Sequence, residues 1–314
     1  MKTNSISKNL LIPTYSITAI DKEAEEMGVA VQSHFFSVGS KVPWAEAGVG
    51  VIATQALVNV DFGPDGLELL RKNLSPDEAL KLLLSRDEGR DSRQVAILSP
   101  DHPPAAHTGE KCIKEAGHIT GENYSVQANM MLNNDVCERM ATVFERSTGP
   151  LAERLVQALF AGEEAGGDIR GKQSSALLTV STTLKPSINN SRLIDLRVED
   201  SPEPLKELER LLNIHRAYEH ANNGDNALER KDIETALFEF AKAEELLPDN
   251  QELKFWHAVS LANIGRIEES LKFFRQVFIK NDNWMELLRR LPRSGLLLVS
   301  KEDMERILGS PGVA

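Results

Sequence analysis

The chain has 314 residues, of which 41% are hydrophobic and 26% charged, and its formal net charge is −11. This length suits about two domains with cores of ordinary size. The negative charge argues against nucleic-acid partners, which are bound through Lys and Arg, and against anionic membrane surfaces. No apolar run approaches the ~20 residues of a membrane helix, and residues 1–13 lack the apolar core of a secretory signal. We therefore expect a cytoplasmic protein without nucleic-acid or membrane partners.

The first part of the chain predicts mostly strands. Alternation in TYSITAID, a polar turn and the β-branched run GVAVQSHFF predict a hairpin. The segment SVGSKVPWAEAG predicts a loop, VGVIATQALV a buried strand, and FGPDG a turn that closes this strand. Further strands are predicted at QVAILS, PAAHTG, NYSVQANMM, SSALLTVS and SRLIDLRVE.

Helices are predicted in pairs between these strands. Two amphipathic helices follow the FGPDG turn, and one of them has Ser75 as its capping residue and Pro76 at its first position. A third helix is predicted to start at Asn134, and a fourth runs from Pro150 to about Gly162. This order favours antiparallel sheet covered by paired helices, rather than a parallel βαβ sheet.

The second part of the chain is helical and repeats with a period of about 34 residues. Small residues at set positions let two helices approach closely, and an aromatic residue fills the gap between them. The first copy, counted from Ala217, has Gly224, Ala236, Phe240, Ala243 and Pro248 at these positions, and the second, from Gln251, has Ala258, Ser270 and Phe274. The pattern resembles the tetratricopeptide family. Such modules bind partner proteins, but two copies fit packing or self-association equally well.

The usual catalytic and metal motifs are absent from the sequence, which has no HExxH, GxSxG, P-loop or CxxC pattern. The spacing of His102, His107, Cys112 and His118 is poor for a metal ion. We therefore predict no metal site and no cofactor. Cys112 and Cys137 fit a reducing cytoplasm and are most simply small buried hydrophobic residues.

Three stretches, TYSI, AAHTGEKC with the later VQANMM, and GGDIRGKQSSA, concentrate polar and glycine residues at predicted strand ends, and their simplest interpretation is as turns. Taken with their surroundings, however, they resemble a known family. The run from TYSITAID to ATQA, followed by AAHTG, QANMM and AGGDIRGKQSSALL, resembles domain of unknown function 1028 of the N-terminal-nucleophile (Ntn) hydrolase superfamily. The resemblance extends from residue 14 to about 200. It implies an α+β fold, a four-layer αββα sandwich, followed here by the all-α helical repeat module.

The resemblance also implies a nucleophile. In active Ntn hydrolases, the first residue of the first strand attacks an amide carbonyl, and its own free α-amine takes the proton. An α-amine titrates near pH 7.7–8.0, so it is a usable base at about neutral pH. Thr14 is the matching residue, but its nitrogen is an amide unless the chain is cut after Pro13. Ser16 and Ser33 are the fallback hydroxyl groups.

Further roles follow from the same resemblance. Asn129 is expected to donate to the oxyanion, and Asp168 with Arg170 to orient the nucleophile or hold a substrate carboxylate. The alternative for Asp168 and Arg170 is a buried ion pair that shapes the GGD turn. The expected catalytic residues are thus Thr14, Asn129 and Asp168. The expected substrate-binding residues are Ser33, His107, Arg170, Gln173 and Ser174.

The predicted function is an amidohydrolase of the Ntn type that acts on a small amide or peptide-like substrate. One alternative is a non-catalytic sandwich that binds a small molecule. Another is a scaffold that binds protein partners, or associates with itself, through residues 217–282. The predicted division is an extension (1–13), a hydrolase-like domain (14–200) and a tetratricopeptide-like helical domain (201–314).

Overall fold

The computed structural model describes residues 10–184 and 192–310. Its contacts divide the chain into a first unit that ends at Arg210 and a second that begins at Leu211. The strands are β1 (Leu10–Ile12), β2 (Tyr15–Asp21), β3 (Glu26–Ser33), β4 (Pro43–Glu46), β5 (Gly50–Val58), β6 (Arg93–Ser99), β7 (His102–Thr108), β8 (Gly117–Thr120), β9 (Tyr124–Ala128), β10 (Ser174–Ser181) and β11 (Arg192–Val198). The helices are α1 (Phe62–Arg71), α2 (Pro76–Ser85), α3 (Val136–Arg146), α4 (Leu151–Glu164), α5 (Pro204–Glu229), α6 (Ile233–Leu246), α7 (Gln251–Asn263), α8 (Ile267–Lys280), α9 (Asn283–Ser294) and α10 (Lys301–Gly309).

Two antiparallel sheets form the centre of the first unit. One has the order β1-β5-β6-β7, with β4 also paired to β5, and the other has the order β11-β10-β3-β2-β9-β8. Helices α1 and α2 pack on the first sheet, while α3 and α4 pack on the second. The sheets contact each other through β2, β3 and β5 and through β6 and β9. An α+β unit built from antiparallel sheet and paired helices is therefore confirmed.

Several local predictions are confirmed. Strands β2 and β3 pair as an antiparallel hairpin across the polar turn. Helix α2 has the predicted cap: the Ser75 hydroxyl accepts from the Glu78 backbone N–H, and the Glu78 carboxylate accepts from the Ser75 backbone N–H. Helix α4 begins directly after Pro150. Each of these features depends on residues close together in the chain.

Other local predictions are wrong. The FGPDG segment is the first turn of α1 rather than a turn outside it. Gly63 allows this helix to lie against Trp44, because a Cβ at residue 63 would be 2.3 Å from the indole ring. The predicted loop SVGSKVPWAEAG contains strand β4. Helix α3 begins at Val136 rather than at Asn134, and the strand in NYSVQANMM ends at Ala128.

Two strands carry no signal that the sequence interpretation used. Strand β8, with the sequence GHIT, pairs with β9 at the edge of the second sheet. Strand β1 pairs with β5 and continues the sheet edge beyond β4. Residues 1–9 of the predicted extension 1–13 lie outside the described residues. Ser191 of the predicted SRLIDLRVE strand lies outside them too.

The second unit is helical, as expected. Gly224 of α5 faces the ring of Phe240 in α6, and a Cβ at residue 224 would be 2.6 Å from that ring. Ala236, Phe240 and Ala243 are buried together with α5. A larger core lies farther along the chain, where Phe255, Phe274, Phe278 and Trp284 make ring contacts. No helix within the described ranges is both long enough and apolar enough to cross a bilayer.

Candidate active site

Thr14 lies between β1 and β2 and is completely buried. Its hydroxyl donates a hydrogen bond to the carbonyl oxygen of Ile12 at 3.0 Å. Its own carbonyl oxygen accepts from the backbone N–H of Asn129 at 3.1 Å and from Gln55 Nε2 at 3.1 Å. Thr14 is therefore held on both sides by residues of both sheets, so its backbone has a defined position.

The carbonyl group of Pro13, directly before Thr14, receives two donors from distant parts of the chain. Ser33 Oγ donates to its oxygen at 2.6 Å, and Arg170 Nη2 donates at 3.2 Å. A hydroxyl and a guanidinium group that meet on one carbonyl oxygen stabilise negative charge on that oxygen. Both donors therefore lie at the carbonyl of the bond between residues 13 and 14.

Asp168 fixes the position of Arg170. Its carboxylate is fully buried and accepts from Arg170 Nε at 3.0 Å and Nη2 at 2.7 Å, a two-pronged ion pair. The same carboxylate accepts from the backbone N–H groups of His34 at 3.1 Å and Arg170 at 3.0 Å. These four hydrogen bonds offset the cost of burying the charge. Asp168 thus positions the guanidinium group, and it also orders the turn after Gly167.

Asn129 directly follows β9 and lies close to Thr14. Its Nδ2 donates to Gln94 Oε1 at 2.9 Å and to the carbonyl oxygen of Thr14 at 3.4 Å. Its Oδ1 has no hydrogen-bond partner among the described residues. The side-chain amide is thus directed at the carbonyl of Thr14 itself, whereas Ser33 and Arg170 donate to the carbonyl before it.

Three buried glutamines surround this site, and the sequence interpretation did not find them. Gln55 Nε2 donates to Gln94 Oε1 at 2.7 Å, while Gln55 Oε1 accepts from the Ser16 hydroxyl at 2.7 Å. Gln127 Nε2 donates to Ser16 Oγ at 2.6 Å. All are buried on the strands. The available signal was a glutamine inside an apolar strand, in ATQA, RQVA and SVQA, where burial requires hydrogen-bond partners.

The hydrogen-bonded network continues toward the surface. Gln94 Nε2 donates to Thr108 Oγ1 at 2.8 Å, and this hydroxyl is 2.8 Å from His118 Nδ1. Burial lowers the pKa of His118, and the nearby His107 lowers it further. His118 is exposed and lines two surface clefts. A continuous path of polar groups therefore connects Thr14 with His118.

The other predicted substrate-binding residues make contacts outside this cluster. Ser174 Oγ accepts from the Val38 backbone N–H at 3.1 Å and donates to the Phe35 carbonyl, so it holds the loop after β3. Gln173 Nε2 donates to Asp200 at 3.0 Å. His107 Nε2 lies 3.0 Å from the carbonyl oxygen of Arg90. Their roles in binding stay predictions.

The described residues thus form an α+β protein with a buried polar site at the start of β2. A family model with the description "Family of unknown function (DUF1028)" matches residues 14–208, more than half of the chain. The chain therefore belongs to the DUF1028 family. It is similar to a solved structure, protein SPO2555 from Silicibacter pomeroyi, also described as DUF1028, with 30% identity and a TM-score of 0.57. The match covers 64% of this chain and 88% of that chain. No curated protein matches it.

Proposed function

We propose that this protein is an amidohydrolase of the N-terminal-nucleophile type, with Thr14 as nucleophile and a small amide or peptide-like compound as substrate. The observation that carries the proposal is the pair of donors, Ser33 and Arg170, on the carbonyl of Pro13. The family match also begins at Thr14, so the preceding residues lie outside it. The facing sheets with a helix pair on each fit the αββα sandwich of the Ntn superfamily. The proposed location is the cytoplasm.

The first step of the proposal is removal of residues 1–13 by the protein itself. The Thr14 hydroxyl attacks the Pro13 carbonyl carbon, and the negative charge on the carbonyl oxygen is stabilised by Ser33 and Arg170. The bond from this carbon to the Thr14 nitrogen then breaks, and the nitrogen gains a proton. The product is an ester between Pro13 and the Thr14 hydroxyl. Water hydrolyses this ester, which leaves a carboxylate on Pro13 and a free amine on Thr14.

The freed amine makes Thr14 a nucleophile for other amides. It takes the proton from the hydroxyl group as this group attacks the substrate carbonyl, since an α-amine has a pKa of about 8. The substrate oxygen then occupies the place of the Pro13 oxygen and accepts from Ser33 and Arg170. Collapse of the tetrahedral intermediate releases an amine, and water hydrolyses the resulting ester. Asp168 acts by positioning Arg170.

The test is intact-mass analysis of the purified chain, combined with a hydrolysis assay on a panel of small amides. We expect loss of residues 1–13, retained processing in Thr14→Ser, and neither processing nor hydrolysis in Thr14→Ala. Thr18→Ala is the matched control, because Thr18 is a buried threonine on β2, the strand that begins directly after Thr14. An intact protein that hydrolyses an amide at an unchanged rate in Thr14→Ala would contradict the proposal. If Ser16→Ala abolished processing and hydrolysis while Thr14→Ala did not, the hydroxyl group of Ser16 would be the nucleophile.

The runner-up function is a scaffold that binds partners through the helices of the second unit. The observation behind it is that Phe238, Ile279 and Leu298 expose apolar side chains, which a bound partner would cover. Comparison of the full chain with a chain that ends after Leu212 separates the two functions. If oligomeric state and captured partners are the same for both chains, the scaffold function is excluded. If the shorter chain still hydrolyses amides but no longer captures partners, the hydrolase function does not depend on the helices of the second unit.

A further inference from the structure

Strand β1 delivers the Pro13 carbonyl to the candidate site in the manner of a bound peptide. Its three residues pair antiparallel with β5, with Leu10 opposite Val58 and Ile12 opposite Ala56. The strand is short, and among residues 10–184 and 192–310 it pairs with β5 alone, at the edge of its sheet. It therefore occupies backbone donors and acceptors of β5 that any other extended segment could use in the same way.

The side chains of β1 differ sharply in burial. Leu10 and Leu11 are 39% and 44% exposed, whereas Ile12 is 0% exposed. Ile12 packs in an apolar cluster with Val29, Val58 and other valines that lie between the two sheets. An apolar subsite is thus filled by the residue that precedes Pro13, and a charged group in this place would lack partners.

The backbone of β5 is unusual at the point where β1 meets the site. Ala56 has a φ of 68°, in the left-handed region that a non-glycine residue rarely adopts in a strand. It lies opposite Ile12 and directly follows Gln55, whose amide holds the Thr14 carbonyl. Strain of this kind persists only where the surrounding structure enforces it, and it is common at binding sites.

We infer that residues 10–13 occupy the acyl subsite of the enzyme, and that its substrate is an extended peptide segment which adds to β5 as an antiparallel strand. An apolar side chain takes the place of Ile12, and the carbonyl that is attacked takes the place of the Pro13 carbonyl. This inference rests on the proposed function. It deepens that function, because it names the substrate class as apolar peptide amides.

The orientation of such a peptide follows from β1. Its chain runs toward the site in the direction of Leu10 to Pro13, so the group released as an amine lies on the Thr14 side. The peptide acid formed by cleavage has its new carboxylate beside Arg170, which suits the guanidinium group. The fragment that ends at Pro13 is therefore expected to be a competitive product inhibitor.

The experiment uses the full chain after it has processed itself. Native gel filtration followed by mass spectrometry shows whether the fragment 1–13 stays bound. Isothermal titration then measures binding of an acetylated peptide of the sequence LLIP, with a free carboxylate, to protein cleared of its own fragment by dialysis. Two variant peptides serve as a matched pair, with Ile12→Asp in the buried position and Leu11→Asp in the exposed one. Variation of the peptide leaves the folding of the protein unaffected.

We expect the LLIP peptide to bind, the Ile12→Asp peptide to bind at least about 100-fold more weakly, and the Leu11→Asp peptide to change affinity by less than about fivefold. Processing without fragment retention or peptide binding would overturn the acyl subsite but leave the proposed function standing. An equal loss of affinity for the Ile12→Asp and Leu11→Asp peptides would overturn the acyl subsite as well. A chain that never processes would overturn the proposed function, and with it the subsite.

Discussion

At the scale of single residues, the candidate site depends on which carbonyl each donor reaches. Asn129 was expected to stabilise the oxyanion, but its amide donates to the Thr14 carbonyl. Ser33, expected to contact the substrate, donates with Arg170 to the Pro13 carbonyl. The residue types near Thr14 were thus predictable from the motifs. The assignment of each donor was not, because it depends on differences of a few ångströms between side chains of distant strands.

The first prediction concerns Ser33. Replacing it by alanine removes one of the two donors to the Pro13 oxygen, so we expect processing after Pro13 to slow by about 10²–10³-fold. The half-time is measured by intact-mass analysis of freshly refolded protein. Ser40→Ala is the control, because Ser40 is exposed and its hydroxyl donates to the nearby Ser37 carbonyl. Equal half-times for the two variants would remove Ser33 from the mechanism.

The second prediction concerns the cysteines. Burial raises the pKa of the Cys137 thiol to about 12. This effect of burial outweighs that of a backbone hydrogen bond, which lowers the pKa. A thiol with this pKa is ionised in only about one molecule in 10⁴ at pH 8, and the thiolate is the reactive form. We therefore expect iodoacetamide to label the half-buried Cys112 well before Cys137 in the native protein. Peptide mapping measures both rates, and unfolding in urea should make them equal. Faster labelling of Cys137 in the native protein would show that it is accessible.

At the scale of elements, local sequence signals were reliable where neighbouring residues satisfy one another. The capping box of α2 and the hairpin of β2 and β3 are of this kind. The FGPDG segment misled because Pro and Gly usually mark turns. Here Gly63 is needed inside a helix for contact with Trp44, a residue that is distant in sequence. Strand β1 was missed because three residues show no periodicity.

The third prediction concerns the cap of α2. Ser75→Ala removes the hydroxyl that accepts from the Glu78 N–H, so we expect the free energy of unfolding to fall by about 1 kcal/mol at pH 7. Ser85→Ala, at the other end of the same helix, should change it little. The hydrogen bond from the Ser75 backbone N–H, followed by that from its hydroxyl, lowers the pKa of Glu78.

This shift in pKa sets the direction of the pH dependence. A carboxyl group with a lowered pKa in the folded protein stabilises it above the ordinary pKa of glutamic acid, and this contribution is lost as the pH falls. The difference in stability between wild type and Ser75→Ala should therefore shrink below about pH 4. Urea unfolding at pH 7 and pH 3.5 measures it. If the difference in stability between wild type and Ser75→Ala grew as the pH fell, the capping hydrogen bonds would not be its cause.

At the scale of the whole molecule, helix α5 belongs to both parts of the chain. The predicted domain boundary is at residue 200, whereas the contacts change at Leu211, inside α5. The beginning of α5 contributes to the first unit, since the Ser175 hydroxyl donates to the Pro204 carbonyl at 2.9 Å. Leu205 and Leu208 are buried there. The family match, which ends at residue 208, includes the same segment.

The fourth prediction follows from α5. A chain that ends after Asp200 loses the buried Leu205 and Leu208, so its first unit should be less stable by at least about 3 kcal/mol than that of a chain ending after Leu212. Urea unfolding, followed by circular dichroism, measures both chains. The additional control is a chain ending after Leu212 with Glu209→Ala, which changes an exposed residue of the same helix. Equal midpoints for the two truncated chains would show that α5 adds nothing to the first unit.

The sequence by itself determined the features that arise between near neighbours: the hairpin, the cap of α2, the helix pairs and the family motifs beginning at Thr14. Only the tertiary structure decided which groups meet at the site. The donors to the Pro13 oxygen come from positions 20 and 157 residues away. The buried glutamines are satisfied across the two sheets. A single sequence does not show such pairings, because a hydrogen bond depends on distance and direction in space rather than on separation along the chain.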